Sequence, residues 1–555
     1  MYPKILIKFI LLSLLLIVTS CESSHQQSFQ QLESALVSWY YKYHPTSASE
    51  LNVSKYNHQI EKYNMESIEE YKADINRFMI ELSQIDETKL KKEDLIRYLA
   101  IDEFLFHKYN GLNFESHSYS VKKSIKNLYD SLFFIIHNSN LDMQQRAQFS
   151  LSRLNLFSTA INNIQKKIIY YSETDLKESL IMISAFEKLL SNLYLYINAD
   201  NNTLDEIEKN ILKINQSIKI LKQHLADFDK ENKVDQQKII NQYLSYNKNI
   251  NFNLDYQFLI QEINSKMLDI SLPIYMVNND EPVWVDREDT LNIIDFILDK
   301  SLEAYPSNNQ TLMSLDESLI RINSFSNQIS TFKNYANNYE IIINNHIYLD
   351  NDMIYRIWSD NSKTYLFLDK EHYIKNNLEN KFNKYELDLY NIGTYFPGKH
   401  FQKQITQKEQ DKISSISINE FTNYGWGLLS QYILIDQGYG SLDNNVYMLV
   451  HLKNVLNSIL KNMIFSNYYI DNKTKSEIQY HIDSFTFYDE KEIELLILEV
   501  LSNPLESNFE IIGYLKLKEI YDNFGYRKLS DFNSILIESA HLNPNLIKEL
   551  KFPND

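Results

Sequence analysis

The sequence has few residues that interrupt helices. Its 555 residues include nine glycines and nine prolines. Because these two residue types end or kink helices, their scarcity favours long helical segments. There is one cysteine, Cys21, so no disulfide can form within the chain and no cluster of thiolates is available to hold a metal. A fold stapled by disulfides or built on a cysteine zinc site is therefore excluded.

An excess of positive charge is also missing. The formal net charge is -18 at pH 7, with 55 basic and 73 acidic residues. A protein that binds nucleic acid needs Lys and Arg to neutralise phosphates, so we expect no nucleic-acid partner. Hydrophobic residues make up 44% of the chain and charged residues 23%, which is typical of a globular protein.

The N-terminus has the pattern of an export signal. Lys4 and Lys8 form a positive segment before an apolar core that runs from Phe9 to Val18, and Val18-Thr-Ser-Cys21 closes that core with small residues before a cysteine. The run over residues 9–20 is too short to span a bilayer. We predict a lipoprotein signal peptide over residues 1–20 and a lipid anchor on Cys21. A plain secretory signal and an uncleaved anchor are the alternatives. Glu22 favours delivery to the outer membrane of a bacterial envelope.

The remaining chain predicts a mostly α fold. A polar tether over residues 21–28 precedes an N-terminal helical part, 29–272, and a C-terminal helical part, 283–555, which together form one integrated domain. Pro273 and Pro282 bracket the predicted break. Strand-like segments at 341–343, 347–349 and 365–368 predict one small β element near residues 339–369.

One predicted helix carries a regular apolar stripe with charged residues on the opposite face. We expect this stripe to face a core, and a coiled-coil arm is the alternative. The stripe consists of Leu204, Ile207, Ile211, Ile214, Ile218, Leu221 and Leu225.

The usual short catalytic motifs are missing. None of the 13 histidines is followed by Glu, so the His-Glu-x-x-His zinc helix is excluded. The chain also has no Gly-x-Ser-x-Gly nucleophile motif and no glycine-rich phosphate loop. What it does have is a concentration of glycine, with six of the nine glycines between Gly393 and Gly440. Such a cluster indicates either a site, or the remnant of one, or plain loop architecture.

Motifs in and after this stretch resemble a known family. Gly393-Thr-Tyr-Phe-Pro-Gly-Lys-His400 and Tyr424-Gly-Trp-Gly427 are similar to the His-Glu-x-x-Pro-Gly-His-His and Glu-Gly-Trp-Ala motifs of the bacterial domain-of-unknown-function-885 family. Pro397, Gly398, Gly425 and Trp426 keep the family's pattern, and the resemblance extends over residues 29–552. It implies a helical, zinc-metallopeptidase-like fold in an exported lipoprotein.

The sequence differs from the family at the positions that the resemblance implies to bind zinc and to act in catalysis. Gly393 and Thr394 stand where the resemblance implies a zinc-binding His and a catalytic Glu, and Lys399 replaces the first residue of the His-His pair. Tyr424 replaces the Glu before Gly-Trp. Further along, the family's Arg, Asp and His fall on Lys461, Phe465 and Tyr469, and its Tyr falls on Glu510.

A zinc hydrolase needs about three protein ligands and an acid or base. We therefore predict a non-catalytic envelope lipoprotein without a cofactor, whose groove either binds a peptide, glycan or protein or has only a structural role. The aromatic candidates for that groove are Tyr395, Tyr424, Trp426 and Tyr432.

Two alternatives remain. One is an active zinc hydrolase or peptidase with a relocated site drawn from His400, Glu420 and His372. The other is an unrelated α-helical binding lipoprotein.

Overall fold

The structure is a computed structural model in which part of the chain is described. The described residues are 25–113, 120–167, 173–227, 236–246, 252, 254–278, 287–302, 311–333, 338–344, 347–349, 353–360, 363–369, 371, 382–525 and 529–552. Cys21 and His372 lie outside them, as does the predicted signal peptide. The chain divides into two compact units, of which the first takes the residues up to 234 with Gln407–Ser417 and the second takes Asp235–Thr406 with Ile418–Asp555.

The first unit is helical throughout its regular segments. Several helices begin at a side chain that caps the first free backbone N–H groups. Asp142, for example, accepts a hydrogen bond of 2.8 Å from the N–H of Gln145, whose side chain accepts from the N–H of Asp142 in return. The helices are α1 (25–43), α2 (Pro45–Glu50), α3 (Met65–Ser83), α4 (Lys92–Asn113), α5 (Val121–Ile136), α6 (Met143–Gln165), α7 (Glu173–Ser191) and α8 (Asn201–Ala226).

The apolar stripe predicted near residue 211 lies on α8 and faces a core. Ile207, Ile214, Ile218, Leu221 and Leu225 are buried, and α8 packs on α6 and α7. The core-facing prediction is confirmed, and the coiled-coil alternative is not.

Two buried charged side chains connect elements of the first unit. Arg153 on α6 donates to the hydroxyl of Ser49 at 2.6 Å and to the carbonyl of Ser131. The carboxylate of Glu33 on α1 accepts from the backbone N–H of Ile413 at 3.0 Å and from Arg97 at 3.1 Å. Glu33 thereby connects α1 and α4 to α15, the short helix Ile413–Ile416. Partnering of this kind is what makes a buried charge tolerable.

The second unit is helical with one small sheet. Its helices before the sheet are α9 (Gln236–Tyr246), α10 (Tyr256–Asn278), α11 (Arg287–Leu302) and α12 (Thr311–Ser326). Those after it are α13 (Lys384–Thr394), α14 (Lys399–Thr406), α16 (Glu420–Asp436), α17 (Asn444–Phe465), α18 (Lys475–Asp483), α19 (Glu490–Ser502), α20 (Glu506–Ile520), α21 (Leu529–Glu538) and α22 (Pro544–Lys551). The mostly α prediction is confirmed.

The sheet consists of β1 (Tyr339–Asn344), β2 (Arg356–Ser359) and β3 (Thr364–Asp369) in the order β1-β3-β2. β3 pairs in parallel with β1 and antiparallel with β2, and all six of its residues are buried. The predicted small β element near 339–369 is confirmed. The expected strand at 347–349 is wrong in detail, because this segment is buried without strand pairing and the third strand is β2.

Pro273 does not end a helix as the sequence predicts. It lies inside α10, which continues to Asn278. In the part of the chain that the structure describes, no helix is both long and apolar enough to cross a membrane.

α16 is the central helix of the second unit. It packs against α13, α14, α17 and α20. A helix that is apolar on all sides is typical of a buried position. The buried residues of α16 are Phe421, Thr422, Asn423, Gly425, Trp426, Gly427, Leu428, Leu429, Ser430, Gln431, Ile433, Leu434 and Ile435. Gly425 and Gly427 of the glycine-rich stretch therefore lie in the core of this unit.

Candidate functional site

Two glycines bring α16 and α20 into backbone contact. A Cβ atom on Gly425 would lie 2.3 Å from the carbonyl carbon of Gly513, and one on Gly513 would lie 1.8 Å from the carbonyl oxygen of Phe421. Neither helix can carry a side chain at this crossing without moving apart. The Tyr424-Gly-Trp motif thus serves helix packing, and its partner Gly513 lies far away in the sequence.

A second close crossing joins α13 to α16. A Cβ atom on Gly393 would lie 2.7 Å from the amide nitrogen of Gln431 and 3.2 Å from the carbonyl oxygen of Gly427. Gly393, which stands where the family resemblance implies a zinc ligand, therefore leaves space for the Gln431 amide. That amide nitrogen donates to the carbonyl of Leu389 at 2.9 Å.

The turn between α13 and α14 is held against α16. Its Phe396–Pro397 peptide bond is cis. The indole N–H of Trp426 donates to the carbonyl of Pro397 at 2.8 Å. A Cβ atom on Gly398 would lie 2.1 Å from the carbonyl oxygen of Gly393, so the turn is too tight for any other residue. The structure thus brings the segments 393–400 and 424–427 together, on three helices that pack against one another.

Lys399 is the first residue of α14 and extends along the partly exposed side of this arrangement. Its ammonium nitrogen lies 4.5 Å from the ring centroid of Tyr424. Its Cγ atom lies 3.0 Å from the position that a Cβ atom on Gly427 would occupy. The Lys399 ammonium makes no hydrogen bond or ion pair with the part of the chain that the structure describes.

Three charged side chains lie within electrostatic reach of Lys399. Burial lowers the pKa of Lys399, and the positive charge of Lys461 lowers it further. The negative charges of Glu510 and Glu506 act in the opposite direction and raise this pKa. Glu510 on α20 accepts a hydrogen bond of 2.5 Å from the hydroxyl of Ser458 on α17. Lys461, also on α17, is bonded to Glu499. We call Lys399, Tyr424, Lys461, Glu506 and Glu510 the Lys399 cluster.

His400 points away from this cluster. Its Nε2 atom lies 2.8 Å from the hydroxyl of Ser359 on β2, and its ring is 6.3 Å from that of Tyr395. Burial, with a smaller contribution from Lys403, lowers the pKa of His400 to about 3. The imidazole is therefore neutral and hydrogen-bonded to the sheet at pH 7.

Glu420 lies at the N-terminal end of α16 and is exposed. Its charge adds to the effect of burial in raising the pKa of Tyr243 on α9. His400 and Glu420 therefore have different surroundings. Across the described ranges no three His, Cys, Asp or Glu side chains group closely enough to hold a metal ion, and His372 lies outside those ranges.

The aromatic residues predicted to line a groove divide into two kinds. Trp426 is fully buried and Tyr395 is 2% exposed, so both belong to the core and cannot stack on a ligand from solution. Tyr424 and Tyr432 are partly exposed. Each carries a lysine ammonium over its ring, Lys399 over Tyr424 at 4.5 Å and Lys518 over Tyr432 at 4.3 Å.

A buried histidine that sequence reasoning missed lies on the other side of α16. His451 on α17 is fully buried, with Nδ1 3.1 Å from the Gln431 carbonyl oxygen and Nε2 3.4 Å from the Tyr514 hydroxyl. Because the Gln431 nitrogen already donates to Leu389, its oxygen faces the imidazole. This assigns the Nδ1–H tautomer, with Nε2 accepting from Tyr514. Burial lowers the pKa of His451 to about 3, and no sequence motif marks it.

Comparisons with known proteins identify the fold of the chain but do not identify an activity. No family model matches the chain, and no curated protein does. Two solved structures are similar over nearly the whole length. A candidate lipoprotein of unknown function from Shewanella oneidensis is 14% identical with a TM-score of 0.67, covering 94% of this chain and 99% of its own. A candidate lipoprotein from Colwellia psychrerythraea is 13% identical with a TM-score of 0.71, covering 95% and 98%.

The chain has the fold of these two proteins. At such identities the similarity concerns the fold alone and does not assign residue roles. The resemblance to the domain-of-unknown-function-885 family stays a prediction.

Proposed function

We propose that the chain is a bacterial envelope lipoprotein, anchored through lipid on Cys21, whose body binds a ligand and does not hydrolyse one at a zinc ion. The pattern Lys4, Lys8 and Val18-Thr-Ser-Cys21 supports the anchor. Both solved proteins that share the fold are described as candidate lipoproteins, which agrees with this assignment. Glu22 supports the outer membrane as the destination.

The observation that carries the binding role is the composition of the Lys399 cluster. Four positions at which the sequence departs from the family resemblance are Lys399, Tyr424, Lys461 and Glu510, and all four lie in this one cluster. Two lysine ammonium groups repel a divalent cation, and the cluster offers two carboxylates and no imidazole, fewer than the roughly three protein ligands that a zinc site needs. A Zn²⁺ ion needs neutral imidazoles or unengaged anionic ligands. The cluster is better suited to hold part of an organic ligand.

The decisive experiment is a zinc measurement on the mature protein. The full mature chain, purified in detergent, would be incubated with excess ZnCl₂, desalted and analysed by inductively coupled plasma mass spectrometry. We expect well under one zinc per chain. One zinc per chain that is lost in His400→Ala, and kept in His481→Ala, would overturn the non-catalytic proposal. His481 is the matched control because it is exposed on α18, away from the cluster.

The anchor is tested separately. Cys21→Ala should abolish metabolic labelling with palmitate and release the body from the membrane fraction. Density-gradient separation of inner and outer membranes tests the destination. Labelling that persists in Cys21→Ala would refute the anchor.

A further inference from the structure

We propose that the Lys399 cluster binds its ligand through a single carboxylate group, which forms an ion pair with the Lys399 ammonium. This inference rests on the proposed binding function and deepens it by naming the chemical class of the ligand. It concerns α14, α16, α17 and α20, all within the second unit.

The Lys399 side chain is held in place before any ligand arrives. Its backbone carbonyl accepts a hydrogen bond of 2.9 Å from the side chain of Asn423, which also donates to Gln402 at 3.0 Å. Its stem packs against Gly427, where a larger residue would collide with it. Its ammonium lies over the face of Tyr424. A cation fixed by its surroundings loses little conformational entropy on binding an anion.

Among the described residues, Lys399 is the cation of the cluster that forms no hydrogen-bonded ion pair, although the carboxylates of Glu506 and Glu510 lie within electrostatic reach. Lys461 is bonded to Glu499, and Glu510 accepts from Ser458. The Lys399 ammonium contacts only the Tyr424 ring, as far as the described residues show. A cation in a partly buried position without a paired anion is costly, and a ligand carboxylate would supply the missing ion pair.

The surrounding glutamates limit the charge of the ligand. Glu506 and Glu510 lie within electrostatic reach of Lys399. One ligand carboxylate would pair with the Lys399 ammonium, whereas a phosphate dianion would bring a second negative charge close to both glutamates. The cluster should therefore prefer a monocarboxylate to phosphate. The partly exposed ring of Tyr424 gives the site an apolar side, which makes an aromatic acid a suitable probe.

The experiment is isothermal titration of the full mature chain with four probes: benzoate, benzamide, benzylamine and inorganic phosphate. We expect benzoate to bind, and the neutral amide, the cation and phosphate to bind at least tenfold more weakly. Lys399→Met should weaken benzoate binding at least tenfold, while Lys399→Arg retains part of it. Lys516→Met is the matched control, since Lys516 is exposed on α20 and pairs weakly with Glu519 at 4.0 Å. Its benzoate affinity should equal that of the wild type.

A second measurement covers the case in which Lys399→Met does not fold. The wild-type chain is labelled with a trace of acetic anhydride, with and without benzoate, and the acetylated lysines are quantified by mass spectrometry. Benzoate should reduce the labelling of Lys399 and leave Lys516 unchanged. Equal labelling of Lys399 in both samples would overturn the proposal, as would phosphate or benzamide binding as tightly as benzoate. Stoichiometric zinc at His400 would instead overturn the proposed function, so the two failures are distinguishable.

Discussion

Replacing Gly513 with alanine tests whether close backbone contact holds the second unit together. In an ordinary helix interior, Gly→Ala stabilises by about 1 kcal/mol because alanine is the better helix former. Here the added Cβ atom would lie 1.8 Å from the carbonyl oxygen of Phe421 and 3.1 Å from the Cα atom of Gly425. Both obstacles are backbone atoms of α16, so no side-chain rotation can relieve the collision.

The size of the effect follows from the separation that the helices must undergo. Ordinary contact begins at 3.4 Å, so α16 and α20 must move apart by 3.4 − 1.8 = 1.6 Å at this point. Forcing extra atoms into a packed interior costs up to about 3 kcal/mol. Subtracting the gain of about 1 kcal/mol in helix propensity leaves a net loss of about 2 kcal/mol. At about 2 °C per kcal/mol for a large domain, Tm should fall by about 4 °C.

The assay is denaturant unfolding followed by circular dichroism at 222 nm, with thermal melts beside it. Two variants calibrate the result. Gly393→Ala meets mainly the Gln431 side chain at 2.7 Å, so it should cost less than Gly513→Ala. Gly438→Ala has nothing within 4 Å but has a φ of +94°, so it should cost about 1 kcal/mol of backbone strain. A Gly513→Ala protein as stable as the wild type would refute the reasoning.

Two further predictions concern buried polar groups. Asp388 accepts from Arg321 at 2.7 Å, Tyr439 at 2.8 Å and Tyr447 at 2.6 Å. Asp388→Ala, which leaves these donors without their acceptor, should lower the free energy of unfolding by about 3 kcal/mol. The control Lys384→Ala breaks an exposed pair and should cost under about 1 kcal/mol, and equal losses in the two variants would contradict this. His451, with its pKa lowered to about 3, stays neutral when folded and takes a proton near pH 6.5 when unfolded. Its contribution to stability is therefore complete above pH 6.5 and is lost as pH falls toward 3, so His451→Gln should reduce the slope of unfolding free energy against pH between 6 and 4 by about 1.4 kcal/mol per pH unit. Parallel wild-type and variant curves would contradict it.

Local patterns allowed much of the fold to be predicted. The stripe on α8 has helical periodicity, and its burial follows from the apolar residues themselves. β1 and β3 were predictable because their residues are strongly strand-forming. β2 was not, since Arg356–Ser359 is four residues long and becomes a strand only by pairing with β3. Pro273 misled because α10 continues through it, although a proline removes one backbone hydrogen bond from a helix.

The sequence predicted where the candidate site lies, but it did not predict what the residues there do. The glycine cluster marked the right segment, in which Gly393, Gly425 and Gly427 serve helix contact. Gly513, the partner of Gly425, lies outside the cluster and carries no local signal. No sequence pattern predicted the contacts of His451 with Gln431 and Tyr514, because these three residues lie on three different helices.

The sequence by itself determined the helical character of the chain, the place of its β element, the export pattern ending at Cys21 and the absence of any His-Glu pair. These depend on residues close together in the chain, whose spacing and chemistry act locally. Only the tertiary structure decided that Lys399, Tyr424, Lys461 and Glu510 form one charged cluster and that His400 turns to the sheet instead. Those outcomes depend on how closely α14, α16, α17 and α20 approach one another, and that distance is set by glycines whose partners no local pattern reveals.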